Sequence, residues 1–98
     1  MHKILLVEDD ETIRQQVKKI MEQWGFEVIA VDDFMDVLGT FVQTNPHLIL
    51  MDIGLPLYNG YHWCQEIRKV SKVPIMFLSS RDHAMDIVMA INMGGDDY

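Results

Sequence analysis

The sequence has few cysteines, no long apolar run and few basic residues, and so lacks the features of secreted, membrane-spanning and nucleic-acid-binding proteins respectively. Cys64 is its single cysteine, so no disulfide can form within the chain, and a reducing, cytoplasmic compartment fits. No apolar run reaches the roughly 18 residues of a membrane-spanning helix, so we expect no membrane span. Lys and Arg number 8 against 15 Asp and Glu, and the net charge of −7 argues against holding nucleic acid by its phosphates.

The main feature of the sequence is that short apolar runs typical of strands alternate with segments whose apolar residues have helical spacing. With 98 residues, 49% of them hydrophobic, the chain is long enough for one domain with a modest core. Strands are predicted at residues 3–7, 26–31, 48–52 and 74–78, and helices at 11–24, 33–44, 61–70 and from residue 82 to beyond 91. This β-α alternation predicts a doubly wound, parallel α/β sheet with right-handed crossovers.

Helical spacing also predicts which side chains are buried. Asp32 and Asp33 are the N-cap candidates of the second helix. Its expected inner face comprises Met35, Leu38, Phe41 and Val42. The fourth helix, capped by Asp82, is expected to carry Met85, Val88, Ala90 and Ile91. Trp24 is predicted in the core and Trp63 half-buried on the third helix.

Polar residues follow the predicted strands where those strands end. Asp52 closes a buried apolar run, Glu8 and Asp9 follow the first strand, and Ser79 follows the fourth. Acids and serine at such places often only cap the next helix, the role that best suits Asp10. Parallel strands, however, aim their carboxyl ends at one edge of a sheet, where α/β proteins bind ligands. The convergence of these residues therefore indicates a functional crevice.

Carboxylates gathered in this way repel one another and are held by a divalent cation. Oxygen ligands suit Mg²⁺, with Mn²⁺ as an alternative. A hard cation beside a carboxylate nucleophile suits phosphoryl transfer through an aspartyl-phosphate on Asp52. Ser79 offers a hydroxyl to a phosphoryl oxygen.

Four blocks of sequence, taken in this order, resemble the receiver domains of bacterial two-component response regulators. They are residues 4–10 (Ile-Leu-Leu-Val-Glu-Asp-Asp), residues 51–56 (Met-Asp-Ile-Gly-Leu-Pro) with Gly60 after them, residues 78–80 (Leu-Ser-Ser) and residues 94–98 (Gly-Gly-Asp-Asp-Tyr). The resemblance covers the whole chain and implies the flavodoxin-like, CheY-like strand order 2-1-3-4-5. The last block is most similar to the OmpR/PhoB subfamily, whose members carry a C-terminal winged-helix DNA-binding domain.

By the same resemblance, Asp52 is the phospho-accepting aspartate. Glu8 and Asp9 resemble the acidic pair that holds Mg²⁺, with Asp9 as the direct ligand, and Gly54 would lend its backbone carbonyl to the metal.

The resemblance also assigns two switch residues. Ser79 matches the hydroxyl residue that turns toward the phosphoryl group, and Tyr98 matches the aromatic residue that moves with it. The stretch 85–94 is similar to regulators that answer peptide antibiotics.

One departure concerns the family's lysine, which follows the aromatic by three residues and contacts the phosphoryl group. The sequence stops at Tyr98. We therefore expect residues 1–98 to be a receiver domain that is incomplete at its C-terminus and lacks an effector domain. Strand five and helix five would be missing, the fourth strand would be an open edge, and stability would be poor or restored by a second copy in a homodimer.

The function expected from this resemblance is a signalling switch that a sensor histidine kinase phosphorylates, with DNA bound only by a further domain. Such a domain catalyses its own phosphorylation and slow hydrolysis but does not turn over an external substrate. One alternative is a hydrolase of the haloacid dehalogenase type, although Gly54 stands where those enzymes place a second Asp. Another is an interaction module that works without phosphate.

Overall fold

The computed structural model describes residues 2–79 and 86–88, with three helices and five strands in these ranges. In chain order they are β1 (Lys3–Val7), α1 (Glu11–Gln23), β2 (Glu27–Ala30), α2 (Val37–Thr44), β3 (Leu48–Asp52), α3 (Gly60–Arg68), β4 (Ile75–Ser79) and β5 (Asp86–Val88). The sheet order is β2-β1-β3-β4-β5, and the first four strands are parallel. The predicted order 2-1-3-4 of a doubly wound α/β sheet is therefore confirmed.

The sheet separates two hydrophobic clusters because its central strands are apolar on both faces. One cluster joins the sheet to α2 and α3 and contains Phe41, Trp63 and Ile67. The other lies on the side of α1 and contains Val17. Burial on both faces fixes the register of β1 against β3, and that register sets which residues lie at the carboxyl edge.

Polar side chains cap the three helices at their N-termini. Asp10 caps α1 as predicted, since its Oδ1 accepts a hydrogen bond of 3.1 Å from the N–H of Ile13. Asn59 caps α3 in the same way, with a bond of 2.9 Å from the N–H of His62. Gly25, at φ +93°, supplies the left-handed turn predicted after α1.

The predicted start of the second helix is wrong. Asp36, not Asp32 or Asp33, is its N-cap, because the Asp33 carboxylate instead accepts a bond from the N–H of Met35 and forms a turn before the helix. Met35 therefore lies before the helix and is exposed rather than on its inner face. Val42 is also exposed, whereas Val37 and Phe41 are buried on the inner face.

The two tryptophans also differ from expectation. Trp24 is 70% exposed because α1 ends one residue before it, and as the C-cap it leaves the face that packs on the sheet. Trp63 is fully within the core rather than half-buried, since it fills the space between α3 and the residues around α2.

The segment predicted to form the fourth helix contains a strand. Residues Asp86–Val88 pair antiparallel with β4, so within the described residues the outer edge of β4 is occupied rather than open. The physical reason is that an unpaired strand edge accepts a neighbour, and the β-branched Ile87 and Val88 suit a strand. The remaining residues of that predicted helix, including Asp82, Met85, Ala90 and Ile91, lie outside the described residues. Among residues 2–79 and 86–88, no helix combines the length and apolar character needed to cross a bilayer.

Candidate functional site

Three carboxylates meet at the carboxyl edge of the sheet. Val7 of β1 is in register with Met51 of β3, so the next residues, Glu8 and Asp52, emerge side by side. One carboxylate oxygen from each of Glu8, Asp9 and Asp52 lies within 4.8 Å of the others. Glu8 and Asp52 are buried, whereas Asp9 is exposed. The parallel topology therefore brings together the three acids that the sequence singled out.

Backbone N–H groups orient the two buried carboxylates. The N–H of Gly54 donates to Oδ1 of Asp52 at 3.2 Å, and the N–H of Asp10 donates to Oε2 of Glu8 at 3.0 Å. The other oxygen of Glu8, Oε1, is buried and has no hydrogen-bond partner among residues 2–79 and 86–88. A buried, unpartnered acceptor is costly, which indicates that a positive group belongs beside it.

The raised pKa values of Glu8 and Asp52 also indicate that a positive group belongs beside these carboxylates. Burial, which disfavours the charged form, raises the pKa of Glu8 from 4.5 to about 7. The N–H of Asp10 opposes this rise, while the negative charges of Asp52 and Asp9 add to it. Burial also raises the pKa of the Asp52 carboxyl above its ordinary value of 3.8, against the opposing N–H of Gly54. Each of the buried acids is thus held where its charge needs compensation.

The donor set fits a hard divalent cation. All the side-chain oxygens are carboxylate oxygens, and the exposed position of Asp9 leaves a side open for water. In the part of the chain that the structure describes, no donor satisfies Oε1 of Glu8. The acidic cluster of Glu8, Asp9 and Asp52 could therefore hold such an ion.

Of the remaining predicted site residues, the structure describes Ser79 and Gly54 but not Tyr98. The backbone of Asp52 is in register with Leu78, so Ser79, the last residue of β4, ends its strand at the same edge as the acidic cluster. Gly54 lies in the loop after β3, with its N–H on Asp52. Tyr98 lies outside the described residues.

Gly60 is a site residue to which the sequence motif gave no role. Its N–H donates to the carbonyl of Ile53 at 3.0 Å, and a Cβ added at this position would run into the backbone carbonyl oxygen of Asp52 and the side chain of Met51. Glycine is needed here because the start of α3 presses against the end of β3. The only sequence signal is a glycine eight residues after the buried aspartate.

Replacing Gly60 by alanine is expected to destabilise the chain by about 1–3 kcal/mol, because the added methyl group forces the end of β3 to move. Mg²⁺ affinity should fall with it. Thermal unfolding and metal titration would measure the two effects. Gly54→Ala is the matched control for stability, since a Cβ at residue 54 meets no atom within 4 Å. Equal melting temperatures for the two variants would contradict this role of Gly60.

Comparison with known proteins agrees with this geometry. The family model described as the response regulator receiver domain matches residues 4–98. Over 95 residues, 97% of this chain, the sequence is 53% identical to the response regulator protein GraR of Staphylococcus haemolyticus. The match spans 42% of the length of GraR, so the chain covers less than half of this relative.

Two solved structures extend the comparison. The N-terminal domain of the nisin resistance regulator NsrR, a lantibiotic response regulator, matches with a TM-score of 0.78 and 46% identity, covering 99% of this chain and 82% of that one. The response regulator TrrA of Thermotoga maritima, solved in complex with Mg²⁺ and BeF, matches with a TM-score of 0.76 and 30% identity over 85% of this chain and 73% of that one. TrrA has also been solved in complex with the histidine kinase ThkA.

Proposed function

We propose that this chain, which belongs to the response regulator receiver domain family and to its OmpR/PhoB-like branch, is a phosphorylation-operated switch with Asp52 as the phosphoacceptor. The observation that carries the proposal is the cluster of Glu8, Asp9 and Asp52, whose oxygens lie within 4.8 Å of one another at the carboxyl edge of the sheet. A sensor histidine kinase is the proposed phosphoryl donor, as supported by the complex of TrrA with ThkA.

In the proposed reaction, a carboxylate oxygen of Asp52 attacks the phosphorus of a phosphohistidine. The P–N bond breaks, its electron pair returns to the imidazole, and an acyl phosphate forms on Asp52. The N–H of Gly54 holds Oδ1 of Asp52 in place during the attack. Ser79 and Tyr98 are the proposed groups that respond to the new phosphoryl group.

The proposed metal is Mg²⁺, with Mn²⁺ as an alternative. Glu8, Asp9 and Asp52 would hold it, with Asp9 as a direct ligand and the backbone carbonyl of Gly54 as a further one. When bound, the cation supplies positive charge that offsets the three carboxylates and the oxygens of the transferred group.

The proposed output lies outside these 98 residues. A DNA-binding domain, expected for the OmpR/PhoB-like branch, would act on transcription after phosphorylation, in the cytoplasm and with a homodimer as the active form. The receiver would phosphorylate and slowly dephosphorylate itself without turning over an external substrate. The 46% identity to the NsrR receiver supports peptide antibiotics as the class of signal.

Incubation with acetyl phosphate and Mg²⁺ is expected to add one phosphoryl group to the chain, because small acyl phosphates can replace the kinase as donor. Intact-mass spectrometry measures the addition, and hydroxylamine should remove it, since an acyl phosphate is labile to that nucleophile. Chelating Mg²⁺ with EDTA should prevent the addition. A phosphoryl group that resists hydroxylamine, or that forms equally well in EDTA, would contradict the proposal.

A further inference from the structure

The loop between β3 and α3 contains a backbone conformation that is unusual for its residue. Leu57 has φ +69°, in the left-handed region that costs a branched, bulky residue free energy. Its side chain is 68% exposed, so burial does not offset the strain. Neighbouring contacts must therefore hold the loop in this shape.

A backbone hydrogen bond and aromatic contacts at Tyr58 supply the restraint, since the N–H of Tyr58 donates to the carbonyl of Pro56 at 2.8 Å across Leu57. The ring of Tyr58 stacks on that of His62, with centroids 4.4 Å apart and an interplanar angle of 21°. The ring centroid of Trp63 lies 5.7 Å from that of Tyr58 and 4.8 Å from that of His62, with interplanar angles of 83° and 78°. Trp63 is buried in the core. These three rings, here called the aromatic clamp, fasten the residue after Leu57 to the first turn of α3.

Both ends of the loop contact Asp52, the proposed phosphoacceptor. At its start, the N–H of Gly54 donates to Oδ1 of Asp52 at 3.2 Å. At its end, Gly60 lies against the backbone carbonyl of Asp52 and donates to the carbonyl of Ile53 at 3.0 Å. A change in the path of the loop would therefore disturb the hydrogen bond that orients the Asp52 carboxylate.

We propose that Tyr58 is a positioning residue for phosphoryl transfer, because its stack on His62, added to the backbone bond from Tyr58 to Pro56, holds Leu57 at positive φ and thereby orients Asp52. This inference rests on the proposed function of Asp52. Tyr58 itself touches no reacting atom and acts through the loop.

Three variants of the 98-residue chain and a fourth as control test the proposal with acetyl phosphate at saturating Mg²⁺. Tyr58→Ala removes the stack and is expected to slow phosphorylation on the order of tenfold, because small misplacements of reacting groups are costly in rate. Tyr58→Phe keeps a ring and should retain the wild-type rate. His62→Ala removes the other half of the stack and should match Tyr58→Ala. Trp24→Ala, which removes an exposed ring at the far end of α1, is the control and should leave the rate unchanged.

A double variant separates positioning from general destabilisation. Glycine adopts positive φ without strain, so Leu57→Gly should restore part of the rate lost in Tyr58→Ala. A merely structural role for Tyr58 predicts no such recovery. Equal rates for Tyr58→Ala and Tyr58→Phe, or no recovery in the double variant, would overturn the proposal.

Amide hydrogen exchange distinguishes failure of this inference from failure of the proposed function. The Gly54 N–H should exchange faster in Tyr58→Ala than in the wild-type chain or Tyr58→Phe, and this reading needs no phosphorylation. A wild-type chain inert to acetyl phosphate would contradict the proposed function. An unchanged exchange rate at Gly54 in both Tyr58→Ala and His62→Ala would contradict the positioning role.

Discussion

An Asp52→Asn variant is expected to take up phosphoryl groups from acetyl phosphate at least about a thousandfold more slowly than the wild-type chain, because the amide lacks the nucleophilic carboxylate. The fold should survive the change. Asparagine has nearly the same volume, and its Oδ1 can still accept the N–H of Gly54. Removal of a buried charge whose pKa is raised by burial also relieves the free chain at neutral pH.

The measurement is the initial rate of mass gain under identical Mg²⁺ and donor concentrations. Asp10→Asn is the matched control, since it makes the same chemical change two residues from Glu8 but leaves a competent helix cap on α1. It should be phosphorylated at close to the wild-type rate. Hydroxylamine-labile phosphate that persists in Asp52→Asn would place the acceptor elsewhere and contradict the assignment.

The carboxyl edge of the sheet could be predicted because its placement follows from topology alone. Once apolar runs alternate with amphipathic segments, the strands must be parallel, and their carboxyl ends must share an edge. Glu8, Asp9 and Asp52 stand at those ends in the sequence, and the structure brings their oxygens within 4.8 Å. These three acids could therefore be predicted to lie together without any knowledge of side-chain packing.

The errors arose where local signals competed or where contacts join distant residues. Asp32, Asp33 and Asp36 are all chemically able to cap α2, and the start at Asp36 places Val37 in the core. The strand Asp86–Val88 contains residues that suit both a helix face and a strand edge, so pairing with β4 decided between them.

The roles of Gly60 and Tyr58 could not be predicted from the sequence for a related reason. Gly60 matters because of a close approach between α3 and the end of β3, and no local pattern encodes that distance. The stack of Tyr58 on His62 depends on the left-handed turn at Leu57, a conformation that the sequence around a leucine does not suggest. Both roles follow from tertiary geometry.

A Glu8→Gln variant is expected to be more stable than the wild-type chain at pH 8 without metal, although it should bind Mg²⁺ poorly. Glu8 is fully buried, and its pKa is about 7 in the folded chain against an ordinary value of 4.5. Between these pH values the folded chain holds a proton that the unfolded chain has released. The free energy of unfolding therefore falls as pH rises from 4.5 to 7, by about 3 kcal/mol in all, and stays low above that range.

Glutamine removes this loss, since it carries no charge at any pH. Metal-free thermal unfolding should therefore show the variant more stable than the wild-type chain at pH 8 but nearly equal at pH 4.5, with a shift of about 4–8 °C for each kcal/mol. Mg²⁺ at a thousandfold its Kd should reverse the order at pH 8, because a ligand at that concentration stabilises the folded wild-type chain by about 4.1 kcal/mol, which exceeds the loss of about 3 kcal/mol. Glu11→Gln, an exposed change at the start of α1, is the matched control and should show neither effect. If Glu8→Gln were instead less stable than wild type at pH 8 without metal, the buried carboxylate would be a stabilising group, and the view of Glu8 as a site held ready for a cation would be wrong.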